Sequence, residues 1–339
     1  MAVVTRSNGH RLDGILPVSQ PRIPGPRPTE NDVAFDLEAS VSAVRSLRSH
    51  VPPDARTANS LGTEREGNAV VIDDSGLLVT IGYLISEATD VSIGAPGGHD
   101  VAAQVVAYDH ATGFGLIRTI TPLDVPALEL SGAPDDPGAG DSVVIASAGG
   151  VDCSILGRVV DRREFAGSWE YMIDAALFTS PLHPRWSGAA LIRPGDGSLV
   201  GIGSLFVQEV GEDVETPGNM FVPVSLLQPV LTEMLETGRA GSLARPWVGM
   251  HAAEALGHLV VSNVMENGPA DRAGITPGDI IREVEGESVE TLSEMYARMW
   301  AAGDPGDDIV FGITRGARVM EIVIRSADRH DFLHHPPRH

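Results

Sequence analysis

Short apolar runs, broken by turn residues at a nearly constant interval, constrain this chain more than any other feature. NAVVID meets the turn DDSG and is followed by LLVTIGYLI. Then come TDVSIGA, the turn PGGH and VAAQVVAYD, and after these GFGLIRTI, DSVVIASAG, SILGRVVDRR, YMIDAAL, GAALI and LVGIGSLFV. One run recurs about every ten to twelve residues, the signature of a β-sandwich or barrel. With 38 Gly and 24 Pro against 5% aromatics, the composition supplies tight turns and favours many short strands over a helical bundle.

The 339 residues suffice for two domains of ordinary size. Residues 1–30 are polar and Pro-rich and read as a disordered, extended arm. NDVAFDLEASVSAVRSLRS reads as a helix, or as a helix running into a strand, with the alternation at its end favouring strand. SLLQPVLTEMLETGRAG is an amphipathic helix with a Gly stop, so the first unit covers 31–240. After the linker GSLARP, residues 245–326 hold strands and two helical pieces with their own apolar pattern. The His- and Pro-rich end, 327–339, reads as a flexible tail, and its histidines have no second ligand set at fixed spacing, so no metal site is expected. No GxxxxGK[ST], GxGxxG after a strand, or HExxH occurs, and no cofactor is expected.

Charge excludes some partners. With 24 Lys plus Arg against 46 Asp plus Glu, the formal charge is −22. Such a surface repels phosphate backbones and anionic lipid, so nucleic acid is not an expected partner. A single cysteine, Cys153, excludes an internal disulfide and a Cys-based zinc cluster. The start of the sequence lacks a basic segment followed by an apolar one, and no apolar run approaches the roughly 20 residues that span a bilayer. A cytoplasmic, reduced location is the expectation.

Residues 245–326 resemble a PDZ domain of the HtrA/Deg protease type. The resemblance is carried by Trp247-Val248-Gly249-Met250, Gly268-Pro269-Ala270, Ala273-Gly274-Ile275, Pro277-Gly278-Asp279-Ile280-Ile281 and Glu285-Gly286-Glu287. It implies a groove that takes a peptide as an added strand, with backbone N–H groups turned to a terminal carboxylate. Here the edge falls on 248–251 and the facing helix on 291–299. Trp247, Val248, Gly249, Met250, Leu292 and Met295 are the candidate peptide-binding residues, with ordinary core packing as the alternative for the methionines.

Residues 40–239 resemble the two-barrel trypsin-like domain of the same family, through NAVVIDDSGLLVTIGYLI, VVAYDHATGFGLIRT, GDSVVIASAGG, GRVVD, WSGAALI, GSLVGIGSLF and GNMFVPVSLLQPVL. The fold class expected is therefore mainly β, a trypsin-like double six-stranded β-barrel followed by an α+β PDZ domain. The resemblance also implies a homo-oligomer, a trimer in the family, and polypeptide C-termini as partners.

Such proteases need a serine, a histidine that takes its proton and an aspartate that orients the imidazole. The resemblance places the nucleophile on Ser187, the histidine position on Tyr83 and the aspartate position on Gly113. The oxyanion-hole positions fall on Arg185 and Ser187, and Arg185 stands where the family has a glycine. Loss of a triad serine or histidine costs roughly 10⁶ in kcat, about 8 kcal/mol. A phenol that titrates near 10 stays protonated at neutral pH. The reading is an inactive protease domain acting as a polypeptide-binding or regulatory scaffold. The alternatives are an active serine endopeptidase with a substitute base, His110 or His183, and a structural subunit of a larger protease assembly. Residues 178–183 are extra relative to the family, and their role is left open, with filling or covering the specificity pocket as one option.

Overall fold

The computed structural model describes residues 23, 25–132, 136–210 and 216–334. The expected arm before residue 23 and the tail after residue 334 lie outside the described residues. The chain forms two compact units, one of Met1–Arg163, Ala175–Ala240 and His334–His339, the other of Glu164–Asp174 and Gly241–Leu333.

In the first unit a short helix α1 (Leu37–Ser42) leads directly into β1 (Val44–His50). The Asp36 carboxylate caps it by accepting from Ala39 N at 2.9 Å. A turn of helix α2 (Ala58–Leu61) precedes β2 (Glu64–Val71), β3 (Leu77–Ile81), β4 (Asp90–Gly94), β5 (Asp100–Tyr108) and β6 (Phe114–Thr119). These six strands close a barrel in the order β1-β2-β3-β6-β5-β4. Its interior is packed by Leu47, Val70, Leu78, Ile93 and Leu116, all fully buried.

The second barrel consists of β7 (Ser142–Ala146), β8 (Ser154–Gly167), β9 (Tyr171–Ser180), β10 (Ala190–Ile192), β11 (Leu199–Val207) and β12 (Gly218–Pro223), closed in the order β10-β11-β12-β9-β8-β7. Val143, Ile145, Ile155, Leu177, Leu191 and Phe221 fill it. Closure leaves no free edge in either barrel. The helix α3 (Gln228–Thr237) follows and stops at Gly238, whose φ of 82° is left-handed.

Two expectations need correction here. The arm was expected to run unstructured to residue 30. Ile23 instead enters the second barrel's core at 1% exposure, and Pro26 O accepts from Leu156 N at 2.8 Å. Burial of one isoleucine and pairing with β8 order this stretch. The tail was expected to be flexible from residue 327, yet Ala327 exchanges two backbone hydrogen bonds with Trp247, at 3.0 and 2.9 Å.

The second unit is a sheet in the order β13-β14-β15-β17-β18 with β16 paired to β15. Its strands are β13 (Met250–Ala255), β14 (His258–Val264), β15 (Ile280–Val284), β16 (Glu287–Ser288), β17 (Asp308–Arg315) and β18 (Arg318–Arg325). Helices α4 (Pro269–Ala273) and α5 (Leu292–Ala301) complete it. Helix α5 starts with a reciprocal capping box between Thr291 and Glu294. The Pro-Gly-Asp stretch has a structural cause: the buried Asp279 carboxylate accepts from Thr276 N at 2.8 Å and from Arg315 Nε and Nη2, both at 2.6 Å.

Candidate functional site

Strand β3 ends at Ile81, and residues Gly82–Leu84 turn as 3₁₀ helix. Gly82 is required there, since a Cβ would sit 2.0 Å from the Tyr108 ring and 3.0 Å from Gly113 O. The turn is pinned from below by Arg65, which is fully buried. Its guanidinium donates to Tyr83 O at 2.7 Å, to Ser86 O at 2.9 Å and to Thr57 Oγ1 at 2.7 Å. Burial lowers this guanidinium to about 10, with the nearby Glu87 charge opposing the fall.

Ser187 lies between β9 and β10. Asn68 of β2 clamps its backbone: Asn68 N and Nδ2 both donate to Ser187 O at 2.8 Å, and Nδ2 also reaches Arg185 O at 3.0 Å. Gly188 follows at φ +70°, where a Cβ would lie 1.9 Å from Asn68 O. A glycine after the serine is thus a steric requirement.

Tyr83 Oη lies 2.9 Å from Ser187 Oγ and 2.6 Å from Ser204 O. A carbonyl can only accept, so the phenolic hydrogen goes to Ser204 O. The Ser187 hydroxyl therefore donates to Tyr83 Oη. Burial pushes the Tyr83 phenol above its ordinary value, opposed by Ser187 and then by Trp186. The serine hydrogen thus faces a neutral phenol oxygen, which has no appreciable basicity.

Gly113 sits at φ +83° in the turn that precedes β6, and its carbonyl accepts from Gly82 N at 2.7 Å. Gly113 itself has no side chain with which to orient a base. Asp109 of the same turn is spent on it, accepting from Ala111 N at 3.1 Å and Thr112 N at 2.8 Å. The His110 ring packs against Tyr108, with centroids 4.3 Å apart.

His183 is fully buried. Its Nδ1 accepts from Arg185 N at 3.1 Å, so Nε2 carries the hydrogen and donates it to Cys153 O at 3.1 Å. Burial lowers this imidazole to about 4, and the bond to Cys153 O opposes the fall. Both ring nitrogens are engaged away from Ser187. The bond to Nδ1 uses the Arg185 N–H, which the resemblance assigns to the oxyanion-hole position. The extra segment does not form a separate cover, because Phe178 is buried within β9, which runs to Ser180.

In the second unit, the expected peptide-binding side chains are mostly core. Val248, Met250 and Met295 are fully buried and Leu292 nearly so, in one cluster with Tyr296 and Met299. The Trp247 ring packs on Phe332 at 4.9 Å. Gly249 is left-handed, φ +78°, and the amides of Val248, Gly249 and Met250 all donate to Glu170. No sequence pattern marked Glu170, Asn68 or Arg65. Among the described residues no group of three or more His, Cys, Asp or Glu is placed to hold a metal, and no helix is long and apolar enough to cross a membrane.

Two closed six-stranded barrels with a serine between β9 and β10 define a trypsin-like peptidase fold, and the capped helix over a small sheet defines a PDZ fold. The trypsin-like peptidase domain family matches residues 67–202 and the PDZ domain family residues 235–325. A probable periplasmic serine endoprotease DegP-like of Halomonas elongata is 22% identical over 291 residues, covering 82% of this chain and 59% of its own. The periplasmic serine endoprotease DegP of Escherichia coli is 23% identical over 276 residues, covering 76% of this chain and 56% of its own. The serine protease Do-like HtrA of Bacillus subtilis is 23% identical over 327 residues, covering 86% and 71%. This chain thus spans well under two thirds of the first two relatives. Among solved structures, the HtrA-type protease AlgW with decapeptide superposes with a TM-score of 0.51 at 19% identity, covering 89% of this chain and all of that one, a likeness of fold. The chain carries a trypsin-like peptidase domain followed by a PDZ domain and has HtrA/DegP homologues.

The cytoplasmic expectation is corrected by these relatives, two of which are named periplasmic. The expectation rested on the lack of a basic and an apolar segment at the start of the given sequence, which does not decide the compartment, and one cysteine is compatible with reducing and oxidising compartments alike.

Proposed function

We propose that the trypsin-like domain does not hydrolyse peptide bonds and that the protein acts as a polypeptide-binding or regulatory scaffold, its PDZ unit taking polypeptide C-termini. One observation carries the first half: the phenolic hydrogen of Tyr83, which the resemblance assigns to the histidine place, is committed to Ser204 O while Ser187 donates to it. An unactivated hydroxyl is a weak nucleophile. The absent side chain at Gly113 and the engaged Arg185 N–H act in the same direction. The test is incubation with a fluorophosphonate probe and with casein, beside a Ser187→Ala control. No Ser187-dependent labelling or cleavage is expected, and either one removes the reading.

A second reading, an active serine endopeptidase with a substitute base, is favoured by relatives that are themselves named serine endoprotease or serine protease. His183 is a poor base here, with both ring nitrogens hydrogen-bonded elsewhere, which leaves His110. Loss of cleavage in His110→Ala would select this reading. A periplasmic setting, by analogy with the relatives, completes the proposal. The homo-oligomer implied by the resemblance, a trimer, is part of it too, and a monomeric mass in light scattering would remove that part. For the PDZ unit the expected ligand is a free C-terminal carboxylate, so an amidated peptide should bind more weakly than its free-acid twin.

A further inference from the structure

The backbone donors that a peptide ligand would need are already in use. Val248 N donates to Glu170 Oε2 at 2.9 Å, and Gly249 N and Met250 N donate to Oε1 at 2.7 and 2.9 Å. Three successive N–H groups converging on one carboxylate form an anion cradle. Gly249 permits it, because its left-handed φ of +78° turns the amides to one side.

Glu170 belongs to Glu164–Asp174, the part of the β8–β9 hairpin that packs in the second unit. The rest of the hairpin tip behaves as a ligand backbone. Ser168 O accepts from Ala252 N of β13 at 3.1 Å, and β13 is the terminal strand of its sheet. From the α5 side, Tyr296 Oη donates to Gly167 O at 2.7 Å and accepts from Glu170 N at 3.1 Å. Residues 167–170 therefore bond to both β13 and α5 and end on a cradled carboxylate, as a bound C-terminal peptide does.

We propose that the PDZ groove is a carboxylate site whose resident acid is the chain's own Glu170, and that a polypeptide with a free C-terminal carboxylate enters it only by displacing residues 167–170. The proposal rests on the reading of this unit as a binder of polypeptide C-termini. Two further features fit a seated pseudo-ligand. Glu170 holds a left-handed φ of +56°, unfavourable for a side chain with a Cβ. Its carboxylate is also buried, which is tolerated only because both oxygens are bonded. Burial pushes that carboxyl up to about 7, while the three amides and Arg329 pull the other way.

The test uses the full chain and amide hydrogen exchange at Val248, Gly249 and Met250, with the amides of β17 as the control for folding. In Glu170→Ala, exchange at the three amides is expected to rise about tenfold or more with β17 unchanged. Sodium acetate should slow it again, and sodium chloride at equal ionic strength should not. Unchanged protection in Glu170→Ala overturns the proposal. Should that variant lose protection at β17 as well, Glu170→Gln, which keeps the size and one acceptor oxygen, replaces it, and unchanged exchange there also overturns the proposal.

A pool of random hexapeptides with free C-termini is then compared with its amidated twin. Glu170→Ala should bind the free-acid pool about tenfold more tightly than the wild type, since the resident segment reduces the competent fraction. Equal affinity overturns the displacement. Acetate rescue with no binding of either pool by either protein leaves Glu170 as resident acid and overturns the C-terminus-binding reading instead.

Discussion

The proposed inactivity of the first unit turns on Tyr83, and the reason is where one hydrogen points. With Ser204 O as an obligate acceptor, the phenol is a fixed donor to that carbonyl and only an acceptor toward Ser187. Tyr83→Phe would leave Ser204 O and Ser187 Oγ without this partner, and a buried group so exposed costs about 1–3 kcal/mol. Urea unfolding should show the loss, and an unchanged midpoint would mean that water replaces the phenol without cost. Tyr83→His puts an imidazole in the histidine place yet restores neither an orienting carboxylate nor the Arg185 N–H. Casein cleavage by this variant should stay at the level of its Ser187→Ala double mutant. Removing the orienter alone from a working triad costs about 10⁴ in kcat. Ser187-dependent cleavage by Tyr83→His would show that the missing base was the sole barrier. The resemblance assigned Ser187, Tyr83 and Gly113 to one site through motif order, and the fold brings the Tyr83 and Ser187 hydroxyls 2.9 Å apart and Gly113 O 2.7 Å from Gly82 N. Glu170 was not legible, because its carboxylate meets partners 78 to 80 residues further along, and no local spacing encodes such a meeting.

At the scale of elements, the barrels were readable from alternation and turns, while the ends of strands were not. LLVTIGYLI looks like one apolar run, yet the strand stops at Ile81. The residues after it, Leu84 and Ile85, are as buried as the strand, so hydropathy does not mark the change to 3₁₀ helix. The start of the extra segment 178–183 was not legible as strand for the related reason that its first residues, although an insertion by spacing, continue the pairing of β9 with β12, Phe178 opposite Met220 and Thr179 opposite Asn219. Helix ends were clearer, because capping chemistry is local. Thr291 accepts from Glu294 N at 3.2 Å, and the Glu294 carboxylate returns to Glu290 N at 2.8 Å. Thr291→Ala should lower the stability of the second unit by about 1 kcal/mol, read as a shift in its denaturant midpoint. Thr291→Ser should retain most of it, and equal loss in both would locate the effect outside the cap.

At the scale of the whole molecule, a formal charge of −22 means that mild acid relieves self-repulsion as it protonates carboxylates. One buried group works against that relief. His183 is neutral in the fold, with its imidazole lowered from 6.5 to about 4 by burial. Its folded value lies below its unfolded value, so the unfolded chain takes up the proton first as pH falls. The contribution to stability is full above 6.5 and is lost progressively between 6.5 and 4. Integrated down to pH 5, the loss is about 2 kcal/mol. His183→Gln keeps a donor toward Cys153 O and an acceptor toward Arg185 N, but it cannot titrate. Urea melts at pH 7.5 and pH 5 on both proteins separate the two effects, since the carboxylates are common to both. The wild type should lose about 2 kcal/mol more than His183→Gln over that interval. Parallel behaviour would mean that the imidazole is already solvated in the fold, in contradiction to its burial and to the bond that uses the Arg185 N–H. That bond ties the pH response to the proposed inactivity: while His183 stays neutral, its Nδ1 holds the Arg185 amide, which the resemblance assigns to the oxyanion-hole position.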